Sequence, residues 1–185
     1  MKKFFSSPVV ALILAFIAVI GSVIINTRVR LGKQCDALID CFYSQPYSNE
    51  VSIADSLQTL CNASEQIVLL GVKYEVEDAE DAVRFIDPIR DAIRVRSCHA
   101  EGIYRDYQQL LKATFSMESM LARMQLSDSD EESYANAQRS AASAKVGIDA
   151  STYNDNVRSF LKYNGRFPTP QIAALSGVSM PELFA

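Results

Sequence analysis

The sequence predicts an all-α protein in which an N-terminal transmembrane helix is followed by an antiparallel bundle of about four long helices. Three observations predict this fold class. An apolar run lies close to the N-terminus, the rest of the chain places apolar residues at helical spacing, and no stretch alternates apolar and polar residues between glycine-rich turns. The 185 residues are 49% hydrophobic and 22% charged, which excludes a disordered tail and suffices for one domain after the anchor.

The N-terminal run extends from Val9 to Ile25 and follows the basic start Lys2-Lys3. As a helix it is about 26 Å long, close to the roughly 30 Å hydrocarbon core of a bilayer. We therefore assign residues 1–26 to a membrane anchor and expect the lipid bilayer to be a partner through Val9–Ile25. The alternative is a cleaved signal peptide, whose apolar segment is usually shorter.

The first long helix of the body is predicted to begin after Ser52, which forms an approximate capping box with Asp55. Its apolar residues are Ile53, Leu57, Leu60, Cys61, Ile67 and Val68. A second helix is indicated by Ala79, Ala82, Val83, Ile86, Ile89 and Ile93. Because Pro88 lacks a backbone N–H, we expect a kink or break near Asp87.

The strongest periodicity belongs to the next helix, where residues on one face alternate steps of four and three. They are Ile103, Tyr107, Leu110, Thr114, Met117, Leu121 and Met124. This spacing is typical of helices packed at a shallow angle. The polar run 127–132 supplies hydroxyl and carboxylate groups that cap a following helix. That helix carries a narrow face for close packing, formed by Tyr134, Ala137, Ala141, Ala144 and Ile148, and Val157, Phe160 and Leu161 then resume a bulky one.

The helices end in a break around Gly165, a residue that suits a left-handed helix end. Thr169 is predicted to cap a short helix with Pro170 at its first position, and Gly177 is predicted to end it. We expect residues 167–185 to be structural and to fold back over the end of the bundle.

The closing segment carries residues at a specific spacing: Tyr153-Asn154-Asp155-Asn156-Val157, Phe160, Phe167-Pro168, Ile172-Ala173, Leu175, Gly177-Val178 and Phe184-Ala185. This pattern resembles the closing segment of the LemA family, of which the chain is identified as a divergent member. The resemblance implies a LemA-like helical bundle domain over residues 27–185, an N-terminal anchor and no catalytic residues to carry over.

Membrane orientation is left open by the charges around the apolar run. The resemblance implies a bacterial protein that crosses the cytoplasmic (inner) membrane once. The family's basic start before the span favours an extracytoplasmic bundle. Arg28, Arg30 and Lys33 lie after the span and favour the opposite orientation.

Four cysteines allow two interpretations: Cys35, Cys41, Cys61 and Cys98. Outside the cytoplasm they would form two disulfides, for which Cys61 with Cys98 across a helical hairpin is the more reasonable pair. The alternative, which we favour, is four small hydrophobic residues in helix interfaces, because their spacing repeats no known framework.

No group of residues predicts catalysis, and we assign no catalytic, cofactor-binding or metal-binding residues. Cys98-His99 has no C-x-x-C unit beside it, so we expect His99 to be exposed or to cap a helix. The acidic run has Ser133 and Arg139 where an EF-hand loop needs Gly and Glu. Asn62-Ala63-Ser64 matches a glycosylation acceptor but lies in a helical segment.

A basic concentration consists of Arg84, Arg90, Arg94 and Arg96. It would suit an anionic partner, but pairing with Asp87 and Asp91 on a solvated face explains it more simply. The net charge of −4 argues against nucleic acid as a partner.

The predicted function is therefore a membrane-anchored, non-catalytic helical-bundle protein, not an enzyme, that acts as a scaffold or protein-interaction module. Other membrane or envelope proteins are the expected partners, and the chain is compatible with a homo-oligomer. The alternative hypothesis is an envelope sensor or regulator whose bundle changes packing on binding a ligand or partner, with Pro88 and the nearby arginines as its moving parts.

Overall fold

The computed structural model describes residues 8–44, 51–77, 79, 83–166 and 168–185, and all regular structure in these ranges is helical. The seven helices are α1 (Pro8–Tyr43), α2 (Ile53–Lys73), α3 (Val83–Arg94), α4 (Ala100–Leu121), α5 (Asp128–Asp149), α6 (Tyr153–Asn164) and α7 (Thr169–Ser176). The all-α prediction is confirmed for this part of the chain. Lys2, Lys3, Ala82 and Phe167 lie outside the described residues.

The chain forms two compact units. The first combines the residues up to Ala37 with Phe160–Met180, and the second combines Leu38–Ser159 with Pro181–Ala185.

In the first unit, α1 carries the apolar run, whose side chains are largely exposed; Leu12, for example, is 72% exposed. The helix is long and apolar enough to cross a membrane, a test that a signal sequence also passes.

The helix ends around α7 confirm one prediction and correct two. Gly177 ends α7 in the left-handed conformation, with φ of 67°. Thr169 is the first residue of the helix rather than its cap, because Pro168 occupies the N-cap position. Gly165 is not left-handed; its N–H instead continues the helical pattern by donating to the Leu161 carbonyl at 2.7 Å.

The second unit is built around α2, which packs against α3, α4 and α5. Its buried apolar face includes Leu57, Leu60, Cys61 and Ile67. The Ser52 hydroxyl caps α2, accepting a hydrogen bond from the Asp55 N–H at 3.0 Å and donating one to the Asp55 carboxylate at 2.7 Å. The predicted capping residue and buried face of α2 are therefore confirmed.

Close packing of α2 on α5 depends on small residues. Ala137 and Ala144 are buried on α5, as the narrow face predicted. Ser56 of α2 lies against Gly147, where an added Cβ would be 2.6 Å from the Ser56 Oγ. Small side chains at these positions allow the two helices to approach closely.

The polar start of α5 is anchored to the end of α2. The Ser127 hydroxyl caps α5. The Asp130 carboxylate accepts hydrogen bonds from Lys73 Nζ at 2.7 Å, Tyr74 Oη at 2.6 Å and Ser127 Oγ at 2.6 Å. These hydrogen bonds, led by that from Lys73, hold the pKa of Asp130 well below its usual range.

One prediction about a helix bound is wrong, and one of two alternatives at Pro88 is excluded. The regular spacing in α4 is confirmed as a buried face from Ile103 to Leu121, but the helix ends there and Met124 is exposed. Of the kink or break expected at Pro88, the break does not occur, because α3 continues through Asp87 and Pro88 to Arg94. The exposed position of Pro88 leaves the apolar face of Ile86 and Ile89 buried.

Candidate docking groove

Helices α4 and α5 both pack against α2 and leave a cavity of about 540 Å³ between them, which we call the α4–α5 groove. Its apolar lining consists of Leu60, Leu111, Phe115, Ala141 and Ala142, and its polar lining of Gln108, Lys112, Thr114, Glu118, Gln138 and Lys145. Short side chains on α5 keep the groove open, because alanines do not fill the space facing Leu111 and Phe115.

Phe115 is the large apolar side chain of the groove that is exposed. It is 73% exposed although it lies beside the buried Thr114. The Thr114 hydroxyl is occupied in the core, where it donates to the Ser64 Oγ at 3.1 Å. The groove therefore offers an aromatic ring and aliphatic side chains to solvent.

Charged and amide side chains surround this apolar surface. Lys112 and Lys145 come from α4 and α5, on the two sides of the groove. Glu118 also lines it, and burial raises the pKa of this carboxyl, an effect that a hydrogen bond with Gln138 opposes. Gln138 donates to the Tyr134 hydroxyl at 2.9 Å, and Tyr134 donates to the Glu118 carbonyl at 3.2 Å. The polar network is thus ordered before any ligand binds.

A second cavity of about 450 Å³ adjoins the groove and shares Gln108, Leu111 and Lys145 with it. The C-terminal residues Phe184 and Ala185 line this second cavity. The two cavities and the C-terminal segment therefore lie next to one another in the second unit.

The C-terminal segment is held by what we call the tail site: Phe42, Tyr104, Tyr107, Tyr153 and Asn154. The Phe184 ring is buried against Tyr104, Phe42 and Tyr107, with centroids 5.1, 5.6 and 5.6 Å away. The Asn154 amide donates to the Phe184 carbonyl at 2.8 Å and accepts from the Phe184 N–H at 2.8 Å.

Residue Glu182 adds further contacts to the segment. Its carbonyl accepts a hydrogen bond from the Tyr153 hydroxyl at 2.8 Å, and its carboxylate accepts one from the Glu101 N–H in the first turn of α4 at 3.3 Å. Burial raises the pKa of Tyr153, so its hydroxyl remains a neutral donor at ordinary pH.

The four cysteines are free thiols, so the alternative pairing of Cys61 with Cys98 is not formed. Cys61 is fully buried, and this burial raises the pKa of its thiol to about 12. A thiol in that environment is inert as a nucleophile.

Other sequence candidates are separate from the groove. His99 precedes α4 with a largely exposed ring whose Nδ1 is 3.4 Å from the Glu182 carboxylate, and it makes no side-chain cap. Within the described ranges, no group of three acidic, histidine or cysteine side chains is arranged to hold a metal ion. Asn62 lies in α2, where its side-chain Oδ1 accepts hydrogen bonds from Gln58 and Arg90.

The basic concentration is paired, but only partly with the predicted acids. Arg94 pairs with Asp91 at 3.0 Å. Arg90 pairs with Glu65 of α2 at 2.6 Å, and Arg96 pairs with Asp40 of α1 at 2.6 Å. The expected partner Asp87 is replaced by Glu65 for Arg90, because α3 packs against α2.

Sequence reasoning missed the groove. The available signal was that Leu111 and Phe115 are apolar residues of α4 that fall outside its regular buried face. Phe184 and Asn154 were both part of the closing pattern, but sequence spacing did not indicate that they contact each other.

Comparison with protein-family models, curated proteins and solved structures finds no match to this chain. Functional conclusions therefore depend on its own geometry. An apolar groove with ordered polar edges can bind an apolar segment of another protein.

Proposed function

We propose that the protein is a membrane-anchored, non-catalytic scaffold whose α4–α5 groove docks another membrane or envelope protein. The single observation that carries the proposal is the groove itself, where the half-buried Leu111 and the exposed Phe115 lie between α4 and α5. A groove of this kind suits the apolar face of an amphipathic helix.

The charges of the groove define the occupant further. Lys112 and Lys145 lie on the two sides of the apolar surface and are exposed. We therefore expect the docked helix to carry apolar residues one turn apart, flanked by Asp or Glu that pair with these lysines. Such charges contribute mainly to specificity and to the rate of association.

Membrane anchoring is part of the same proposal. The apolar, exposed part of α1 supports it, with Val9–Ile25 inside the inner membrane as a single pass and the antiparallel bundle on the extracytoplasmic side. The LemA-like closing segment Tyr153–Ala185 supports the same arrangement, because that family resemblance implies an anchored helical bundle.

Site-specific photo-crosslinking in intact membranes tests the docking surface. A photoreactive phenylalanine analogue is placed at Phe115 of the full chain, and the matched control carries it at Leu69, which is 63% exposed on α2 outside the groove. We expect a defined adduct from position 115 only. Lys112→Glu combined with Lys145→Glu should reduce that adduct at least several-fold while leaving the amount of protein in the membrane unchanged.

Two results would contradict the docking proposal. One is an equal set of adducts from positions 115 and 69. The other is an adduct from position 115 whose yield does not change when both lysines are reversed.

A further inference from the structure

The C-terminal residues Pro181–Ala185 are bound in the manner of a peptide ligand. They have no helix of their own, yet Pro181 and Phe184 are buried. The Phe184 ring supplies the apolar contacts with the tail site, and the main chain of Glu182 and Phe184 supplies the hydrogen bonds to Tyr153 and Asn154.

The tail site contains the elements that peptide-binding sites use. The Asn154 side-chain amide donates one hydrogen bond to the main chain of Phe184 and accepts one from it, and an aromatic pocket beside it accepts the Phe184 ring. Burial raises the pKa of Tyr107 in this pocket to about 12, so its hydroxyl is neutral at neutral pH. The site therefore selects an aromatic side chain together with the main chain of the residue that carries it.

There is also space for a segment to enter. Ala185 is exposed and lines the 450 Å³ cavity, which Lys145 and Arg158 also line. The residues before the segment, 178–180, are not helical, and Gly177 before them has a left-handed backbone. The segment thus follows a turn that permits a change of direction.

We propose that the tail site is a receptor for a C-terminal Leu-Phe-Ala segment and that it accepts the tail of a second copy of this chain. The contacts with the tail site are made by the Phe184 ring and by the main chain of Glu182 and Phe184. The tail of another copy supplies the same ring and the same main-chain groups. The proposal is independent of the α4–α5 groove and of its proposed partner.

The chain's own tail competes for the site at a high effective concentration, so exchange is best measured in variants. Phe184→Ala empties the aromatic pocket but keeps the site. We expect its Tm in detergent micelles to fall by about 10 °C, because a buried ring is lost. The matched control Phe115→Ala removes an exposed ring and should leave Tm nearly unchanged.

The first measurement adds the peptide Pro-Glu-Leu-Phe-Ala to full-length Phe184→Ala. Binding to the folded state raises Tm with ligand concentration, so we expect at least half of the lost Tm to return. The peptide Pro-Glu-Leu-Ala-Ala should have no effect. A partly unfolded variant also responds to a ligand of its folded state. An unchanged Tm would therefore overturn the proposal that the tail site is a receptor for this segment.

The second measurement tests the source of the tail. A chain with Asn154→Ala has an intact tail but a damaged site, and it is mixed with differently tagged Phe184→Ala, which has an intact site. We expect these two chains to co-purify. When Phe184→Ala is added to the Asn154→Ala chain, which donates the tail, we expect co-purification to be lost. Co-purification that is absent, or that does not depend on Phe184 of the donor, would overturn the exchange between copies.

Discussion

Ser56 and Gly147 are coupled where α2 and α5 approach most closely. Among the described residues, the buried Ser56 Oγ has no hydrogen-bond partner. An unsatisfied buried hydroxyl costs about 1–3 kcal/mol of folding free energy. The serine at this position is therefore destabilising, although its short side chain allows the two helices to pack closely. A Cβ added at Gly147 would lie 2.6 Å from the Ser56 Oγ but 3.7 Å from the Ser56 Cβ.

We therefore expect Gly147→Ala to destabilise the wild-type chain and to stabilise Ser56→Ala. In the second background the added methyl makes an ordinary contact, and alanine gains about 0.5–1 kcal/mol over glycine inside a helix. Urea unfolding of the full chain in detergent micelles, followed as a double-mutant cycle, measures the coupling. Additive effects of the two substitutions would show that the Ser56 hydroxyl does not clash with a Cβ at position 147.

Asp130 gives the stability a defined pH dependence. Hydrogen bonds from Lys73, Ser127 and Tyr74 lower its pKa in the folded state, whereas the unfolded value is about 3.9. Its contribution is therefore fully present above pH 4 to 5 and is lost as the pH falls through the folded pKa. Asp130→Asn should lower Tm at pH 7 and differ less from wild type as the pH is reduced below 4, with Asp128→Asn, which is exposed, as the control.

At the scale of the helix, backbone strain lies just after the C-terminal ends of α2 and α3, where Glu75 and Arg96 have positive φ. Glu75 has φ of 55° just after α2, where the Val76 N–H donates to the Gly71 carbonyl at 2.8 Å. This is the position at which helices commonly end with glycine. A glutamate there occupies a left-handed conformation that costs about 1 kcal/mol.

Glu75→Gly should therefore stabilise the protein by up to about 1 kcal/mol. The same change at Glu132, an exposed residue inside α5, should destabilise it by about 1 kcal/mol. Thermal unfolding of the two variants in parallel compares them. Destabilisation by both would mean that the conformation of residue 75 carries no strain.

Sequence reasoning succeeded where one local interaction decides the structure. Ser52 was predicted as a cap, the polar run 127–132 was predicted to supply capping groups, and the buried face of α4 was predicted from spacing alone. It was less successful where packing decides: α3 does not break at Pro88, since Ile86 and Ile89 are buried on one side while Pro88 faces solvent. The groove was not predictable for the same reason, since it depends on how α4 and α5 both pack against α2.

At the scale of the whole molecule, α1 fits two interpretations of the N-terminus, a membrane anchor and a signal sequence. The exposed side chains of Val9–Ile25 require either a bilayer or removal of the segment. We expect the chain to keep its full mass and to stay with membranes after alkaline carbonate extraction. Leu14→Arg with Ile17→Arg should release it, because each charge costs about 2.5–3.5 kcal/mol at the centre of a span. A shortened chain in the soluble fraction would identify a signal peptide.

The Asn154 amide binds main-chain atoms only, and this has a consequence for mutational tolerance. In a saturation library of the last four positions, selection for folded protein should retain only aromatic residues at Phe184. Leu183 and Ala185 should instead accept many replacements, since the hydrogen bonds at Asn154 persist whatever side chains flank them. The side chains at positions 183 and 185 could then change in evolution while the segment stays bound at the tail site.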